Sequence, residues 1–532
     1  MRRCDIVVSA VLWTAACVAQ SPNPADAGKL QFGAVVTDAS GAAIRDVTGK
    51  DLTIEIQKKN QPGQLQPISP IAAIVDPAPG EFTNRNNAAT GRGLVMLVLD
   101  TIHTRWLDER DLRPVIAKYL ASCASHNLPV FLLIMDPHGT LHTVHDYTTS
   151  STTLTAALNR ADAVVHGRPP RDTTPEVAAE TVRLVDFLKG TIANYAVAAA
   201  PLHASPEPVL DMFRTLAVAT AGISGRKSLV WIANITPFEV DEKTGTVAAT
   251  SVAVNGLGYA GRQSENHQMM TADELKQLRP FWKSCMTALL RSEVALYPLA
   301  ARGQADVLVD SQTLHAMHVL STMTGGREIA PMDPLASLAG LSEQNLAAYD
   351  MVASDVVQSC KSDWCDLKIV VNRPGARVTA PNGFFRDAGT WQQANALSAA
   401  ITSPLDFTGV PFIVRWTTTA PTPDKTEATV PKKKASFVVT FPPEADLPPP
   451  TGHELNLQIF VRATKLGTND PQNANFNAAG QLSPDQARQA HQQGFALNNV
   501  IELAPGDYTV KFLVHDKLTG RLGSITVPLK VS

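Results

Sequence analysis

The sequence has little of what usually announces an enzyme or a nucleic-acid binder. Aromatic residues make up 6% of its 532 positions and cysteines number 6. Neither GxSxG nor HExxH occurs, so a serine hydrolase or a zinc protease has no motif to stand on. Charge of one sign is lacking too: 46 Lys and Arg against 49 Asp and Glu leave a net charge of -3, with a pI near 6.5. That balance removes the electrostatic reason to expect nucleic acid or an anionic membrane as partner. Beyond the first twenty or so residues no run is long and apolar enough to span a bilayer. No internal repeat is visible. What is present describes a soluble globular protein, 44% hydrophobic and 18% charged. It is too long for one core, which implies three or so domains. The 37 prolines fit β-domains joined by stiff linkers.

The chain opens like an export signal. Met1-Arg2-Arg3 precedes an apolar run from Ile6 to Val18, and small residues follow before Ser21; Asp5 is out of place in such a head. Cleavage after Ala19, with Cys17 and Ala19 at the small-residue positions, defines a signal peptide over residues 1–19. Lipidation at Cys17, preceded by Thr14-Ala15-Ala16, is the alternative. Either route takes the chain out of the cytoplasm, to the periplasm, the envelope or the medium. Four cysteines then remain in an oxidising compartment. Cys360 and Cys365 can close a small loop worth about 2 kcal/mol on the chain-entropy model. Four cysteines without paired CxxC spacing do not make a zinc site. Cys123 and Cys285 lie in helical patterns and read as buried thiols, their pairing open.

The organising stretch is Gly93-Leu-Val-Met-Leu-Val-Leu-Asp100 followed by Thr101-Ile-His-Thr104. Six apolar residues and then a carboxylate describe a strand buried on both faces, with an acid delivered to its C-terminal end. In open α/β sheets that end is where ligands bind. Before it, Phe32 to Thr37 and Leu52 to Ile56 are strand-like, and residues 70–91 read as loop. After it, helical spacing at 107–125, 153–164, 175–189, 208–221, 271–290 and 313–324 alternates with strands at 129–135, 141–145, 225–234 and 294–298. Residues 237–268 read as a polar insertion. Strand and helix alternating over this length predict a doubly wound sheet. From Trp391 onward short alternating strands with turn signals predict an immunoglobulin-like β-sandwich. The expected units are an N-terminal β segment (28–90), an α/β domain (91–358), a β extension holding the Cys360/Cys365 loop (359–390) and the sandwich (391–532).

Leu97-Val-Leu-Asp-Thr-Ile-His-Thr104 before a helix resembles the first strand of von Willebrand factor A domains. Phe131 to Met135 and Leu141 to Tyr147 resemble the second and third. More narrowly, the chain is similar to the VWFA-related family described from acidobacterial proteins. The phrases are Gly225-Arg-Lys-Ser-Leu-Val-Trp-Ile232, Leu296-Tyr-Pro-Leu-Ala-Ala-Arg302, Met323-Thr-Gly-Gly-Arg327, Leu367 to Gly375 and Ala380-Pro-Asn-Gly-Phe-Phe385. The resemblance covers roughly residues 30–386 and rests on their order and spacing. It implies an α/β fold with a doubly wound, mostly parallel sheet, flanked by the β segment and the sandwich.

The resemblance also implies a place for Mg²⁺, which needs oxygen ligands in near-octahedral array. Asp100 holds the first position of the family's DxSxS stretch and Thr104 the last. Ile102 replaces the middle Ser and offers no oxygen. The later Asp falls at Asn234, which keeps an oxygen and loses the charge. Thr173 or Thr174 is the candidate loop threonine. The expectation is therefore a degenerate metal site at Asp100, Thr104 and Asn234, with Asp100 capping a helix or tying down a turn and no cofactor required. His103 and Trp106 are the candidate ligand contacts. His138, His142 and His145 with Asp146 suggest zinc, but His142 and His145 fall on opposite faces of a regular strand, and a solvated turn and edge strand is the simpler reading. Gly256-Leu-Gly-Tyr-Ala-Gly261 matches GxGxxG without the strand and helix that a dinucleotide fingerprint needs. Lys432-Lys-Lys434 reads as solvated linker. The function expected is that of an exported, non-enzymatic interaction protein binding a protein or surface polymer. The alternatives are a metal-dependent enzyme using Asp100, Asn234 and the histidines, or a structural envelope component.

Overall fold

A computed structural model describes most of residues 30–531. Residues 1–29, 67–77, 85–93, 104–108, 149–205, 249–271, 301–310, 354–359, 387–396 and 422–431, with shorter breaks, lie outside the described residues. The export leader, the expected helices at 153–164 and 175–189, Thr173, Thr174 and the Gly256–Gly261 motif all fall there. No helix among the described residues is long and apolar enough to cross a membrane.

The apolar runs do form one sheet. Its order is Val294–Ala300, Lys227–Ala233, Leu94–Asp100, Val130–Met135, Leu141–Thr148. The first four pair in parallel and the last is an antiparallel edge. Both faces of the central strand are covered, which is why its sequence does not alternate. Val95, Leu97 and Leu99 pack with Ile116, Tyr119 and Leu120 of the Glu109–Ser125 helix. Leu94, Met96 and Val98 share a cluster with the Glu207–Ala219 and Ala272–Arg291 helices.

The doubly wound, mostly parallel fold of von Willebrand factor A type is nevertheless overturned as the fold class. Strand outweighs helix, and of the six sheets among the described residues five are wholly antiparallel. Among the described residues, parallel strand pairs are the three of one mixed sheet, beside an isolated parallel bridge from Leu299 to Ile329. The physical reason is that most strands find partners far away in sequence, where a local hydrophobic pattern carries no information about pairing direction.

The first β unit shows this. Leu30–Thr37 pairs with Ala348–Ala353 and Arg377–Thr379, and Leu52–Ile56 pairs with Trp364–Val371, so the two ends of a long excursion close one small sandwich. Phe32, Ile54, Met351, Leu367 and Ile369 fill its core. Cys360 and Cys365 form a disulfide beside that core. Arg373 ties it at the surface, donating to Asp46 at 2.8 Å and Asp51 at 2.9 Å; that contact holds the Asp51 carboxyl below its ordinary range. Sequence reading missed the short strand Glu81–Thr83 and the hairpin of Glu239–Asp241 with Thr246–Ala248, both placed in segments expected to be irregular. Lys433 and Lys434 open a strand, Lys433–Phe441, instead of belonging to a linker.

The C-terminal unit is a β-sandwich of two four-stranded antiparallel sheets around Phe412, Phe437, Ile459, Val461 and Phe512. Glu81–Thr83 supplies an edge of one sheet by pairing with Ile413–Pro421. Next to it the buried Asn84 amide donates to Phe407 and Val410 carbonyls, each at 2.8 Å, and accepts from Phe412 N at 2.9 Å. Lys511, also buried, reaches out of this sandwich to the carbonyls of Ser403 and Leu405. Thr408 bonds Ala219 at the end of a mixed-sheet helix; a Cβ on Gly222 would lie 1.9 Å from the Thr408 carbonyl oxygen, so only glycine allows that approach.

Two buried cations stand at the start of the Lys227–Ala233 strand, and one of them, Arg226, bonds across the seam between the first sandwich and the mixed sheet. Arg226 donates to Gly33 O at 3.0 Å, to Tyr297 Oη at 3.0 Å and to Gly325 O. Lys227 Nζ donates to Gly225 O at 2.9 Å and Ser292 O at 2.7 Å. Replacing Arg226 with Ala is expected to lower stability by about 3 kcal/mol, since charge-assisted bonds are lost and buried carbonyls are left unpaired. Arg226→Lys should recover little, because an ammonium cannot fork across three acceptors; urea unfolding of the three proteins measures this.

Burial also holds the ammonium groups of Lys227 and Lys511 down to about 8, with nearby carboxylates opposing the drop. In the unfolded chain a lysine keeps its proton to about 10.4. Between those values the unfolded state binds more protons, so stability rises with pH from about 8 upward and is unchanged by these groups below that. Unfolding free energies measured across this window should climb for the native chain and climb less for Lys511→Met.

Candidate functional site

The central strand ends at Asp100, and the chain turns sharply after it. The Asp100 carboxylate is 1% exposed and accepts four bonds from its surroundings. Oδ1 takes the backbone N–H of Ile102 at 3.0 Å and of His103 at 3.1 Å. This is the local closure that Asp favours, its side chain bonding backbone two and three residues on. Oδ2 lies 2.7 Å from His103 Nδ1 and accepts from Trp231 Nε1 at 3.0 Å. Trp231 comes from the adjacent parallel strand and is fixed edge-on against Phe213, with centroids 5.2 Å apart. Ile102 packs onto the same apolar cluster.

A carboxylate has about four lone-pair directions, and here all four have protein donors. Asp100 therefore does not fit a hard cation in this arrangement: to ligate one it would have to leave two backbone N–H groups, an indole and an imidazole unsatisfied in a dry site. Thr104, Asn234 and Trp106 lie outside the described residues. His103, expected as a ligand contact, is inside: its side chain has no exposed surface. Its Nε2 is buried without a hydrogen-bond partner among the described residues. What the site can do chemically, as it stands, is hold a strand end and a turn rigid.

The histidine group on the edge strand is differently arranged than a regular strand implies. His142 pairs with Ile134 and His145 with Leu132, because the register shifts between Leu132 and Leu133. Ile134 and Leu132 share one face of their strand, so a bulge brings the two histidine positions into the same parity. His138 lies outside the described residues. Among the described residues no group of three or more His, Cys, Asp and Glu is placed to share a metal ion. The buried thiol of Cys285 is pushed well above its ordinary range by desolvation, which makes it inert. Cys123 is buried as well.

Sequence reasoning did not foresee Trp231 as the partner of Asp100, nor Arg226, Lys227 and Asn84 as clamps. One signal was available for the clamps: two basic residues directly before a continuous apolar run are out of place unless the strand begins inside the protein.

The sequence matches no family model and no curated protein. One solved structure, described as a β-glucosidase involved in saponin metabolism from intestinal bacteria, aligns over 60% of this chain. The alignment spans 38% of that chain, at 11% identity and a TM-score of 0.14. A likeness that slight carries no argument.

Asp100→Ala is expected to cost about 3 kcal/mol of stability by orphaning buried donors, while calorimetric titration of the native chain with Mg²⁺ or Mn²⁺ should give no saturable heat. Saturable binding that disappears in Asp100→Ala would overturn the assignment of Asp100 to internal structure.

Proposed function

We propose that this protein is an exported, non-enzymatic interaction protein that binds a protein or surface polymer near the C-terminal end of the mixed-sheet strands, without a metal ion. The observation that carries the reading is the saturated Asp100 carboxylate. A side chain occupied by four internal donors serves as a rigid support for the segment that follows, and that segment includes Thr104 and Trp106. Trp106 is the proposed contact anchor, since large aromatic residues dominate binding energy when they enter a partner's pocket. The first sandwich is clamped to the mixed sheet through Arg226, and the C-terminal sandwich is joined to a mixed-sheet helix through Thr408, so both fit the role of rigid spacers. Export follows from the leader-like first nineteen residues. A relation to VWFA-related proteins remains part of this reading through the phrases at 225–232, 323–327 and 367–375.

The alternative, a metal-dependent enzyme built on Asp100 and Asn234, would require the Asp100 bonds to be broken first. The test uses the full chain immobilised and exposed to envelope extract, with and without EDTA. The same ligand should be retained in both conditions, and Trp106→Ala should reduce its retention about tenfold while leaving the circular dichroism spectrum unchanged. Loss of binding in EDTA would defeat the metal-independent reading.

A further inference from the structure

The second sheet of the C-terminal sandwich runs in the order Pro471–Gln481, Glu454–Lys465, Gly506–Asp516, Leu522–Val531. Among the described residues its first and last members are therefore edge strands, and they are unlike. A free edge offers N–H and C=O groups to any strand that comes alongside, and proteins blunt it with proline, lysine or a bulge. Leu522–Val531 carries Pro528 and Lys530. Pro471–Gln481, reading PQNANFNAAGQ, carries neither after its first residue. It pairs with its neighbour in unbroken register from Thr464↔Pro471 to Glu454↔Gln481, so no bulge turns the edge away. No charged residue occurs between Asp470 and Asp485. Phe476 and Ala478 pack on the sandwich core, while Asn473, Asn475 and Asn477 are exposed.

We infer that this strand is a self-association edge, adding antiparallel to the same strand of a second copy across a twofold axis. An uncharged strand meets no like charge in its own copy. An asparagine amide both donates and accepts, so a row of them is complementary to the same row reversed. With the two strands centred on Phe476, Asn475 of each copy stands opposite Asn477 of the other, as a cross-strand pair. The edge strand itself offers a charged peptide no countercharge between Asp470 and Asp485, although the neighbouring strand brings Arg462 in register with Asn473. A glycan would want an aromatic platform, and the Phe476 ring is engaged with Phe437, centroids 5.8 Å apart. One strand pair buries little surface, so the dimer is reversible and depends on concentration.

Sedimentation of the full chain over a range of concentrations tests this. The native chain should move from monomer toward dimer, and hydrogen exchange over 471–481 should slow as the protein is concentrated. Asn475→Asp with Asn477→Asp changes little in shape but sets carboxylates against one another across the axis. Asn475→Lys with Asn477→Lys sets ammonium groups there. Each pair should weaken the dimer by about tenfold or more, with melting and circular dichroism unchanged. A native chain that stays monomeric throughout would sink the proposal. So would a dimer that both variants retain, or exchange over 471–481 that ignores concentration.

Discussion

Two neighbouring cations, Arg226 and Lys227, sit where the protein can least tolerate unpaired charge, and the rest of the structure is arranged around satisfying them. They lie at the start of a strand buried on both faces; Arg226 bonds Gly33 O, Tyr297 Oη and Gly325 O, and Lys227 bonds Gly225 O and Ser292 O. Because Gly33 belongs to the first sandwich and Gly325 to the end of a helix, one guanidinium fixes three elements at once. The space for it is made by a small residue. A Cβ on Gly33 would meet the Arg226 side chain at 3.1 Å. Buried charge is costly unless it is paired with acceptors, so the three acceptors that the Arg226 terminal nitrogens reach favour one docking geometry, although its Nε has no partner among the described residues.

The same logic explains Asp100. A carboxylate at the end of a buried strand looks exposed to ligands only while the strand is considered alone. Once Trp231 arrives from the neighbouring strand and the chain folds back through Ile102 and His103, the carboxylate is consumed by its own surroundings. The strand end becomes a rigid corner from which the following segment departs.

The two sandwiches are closed by long-range partners. The first is completed only when residues near 350 and 370 return to pair with residues near 30 and 50. The second borrows Glu81–Thr83 from before the mixed sheet. Chain crossings of this kind, with Asn84 bonded across one of them, tie the units to one another more firmly than linkers would.

What the sequence determined by itself is local. The buried strands at 94–100, 130–135, 227–233 and 294–300 were legible because a strand covered on both faces needs a continuous apolar run, and the helix at 272–291 because its apolar period recurs within a few residues. The loop at Cys360 and Cys365 was legible from spacing. Tertiary structure decided the rest. Pairing direction is set by which distant strand arrives, so a reading that extrapolated from the parallel core to the whole chain reached the wrong fold class. The state of Asp100 was decided likewise by Trp231, more than a hundred residues away. The parity of His142 and His145 was decided by a register shift that no period-two pattern encodes. Each of these depends on a contact between segments remote in sequence, and side-chain periodicity reports only on the face a segment turns inward, never on what it meets there.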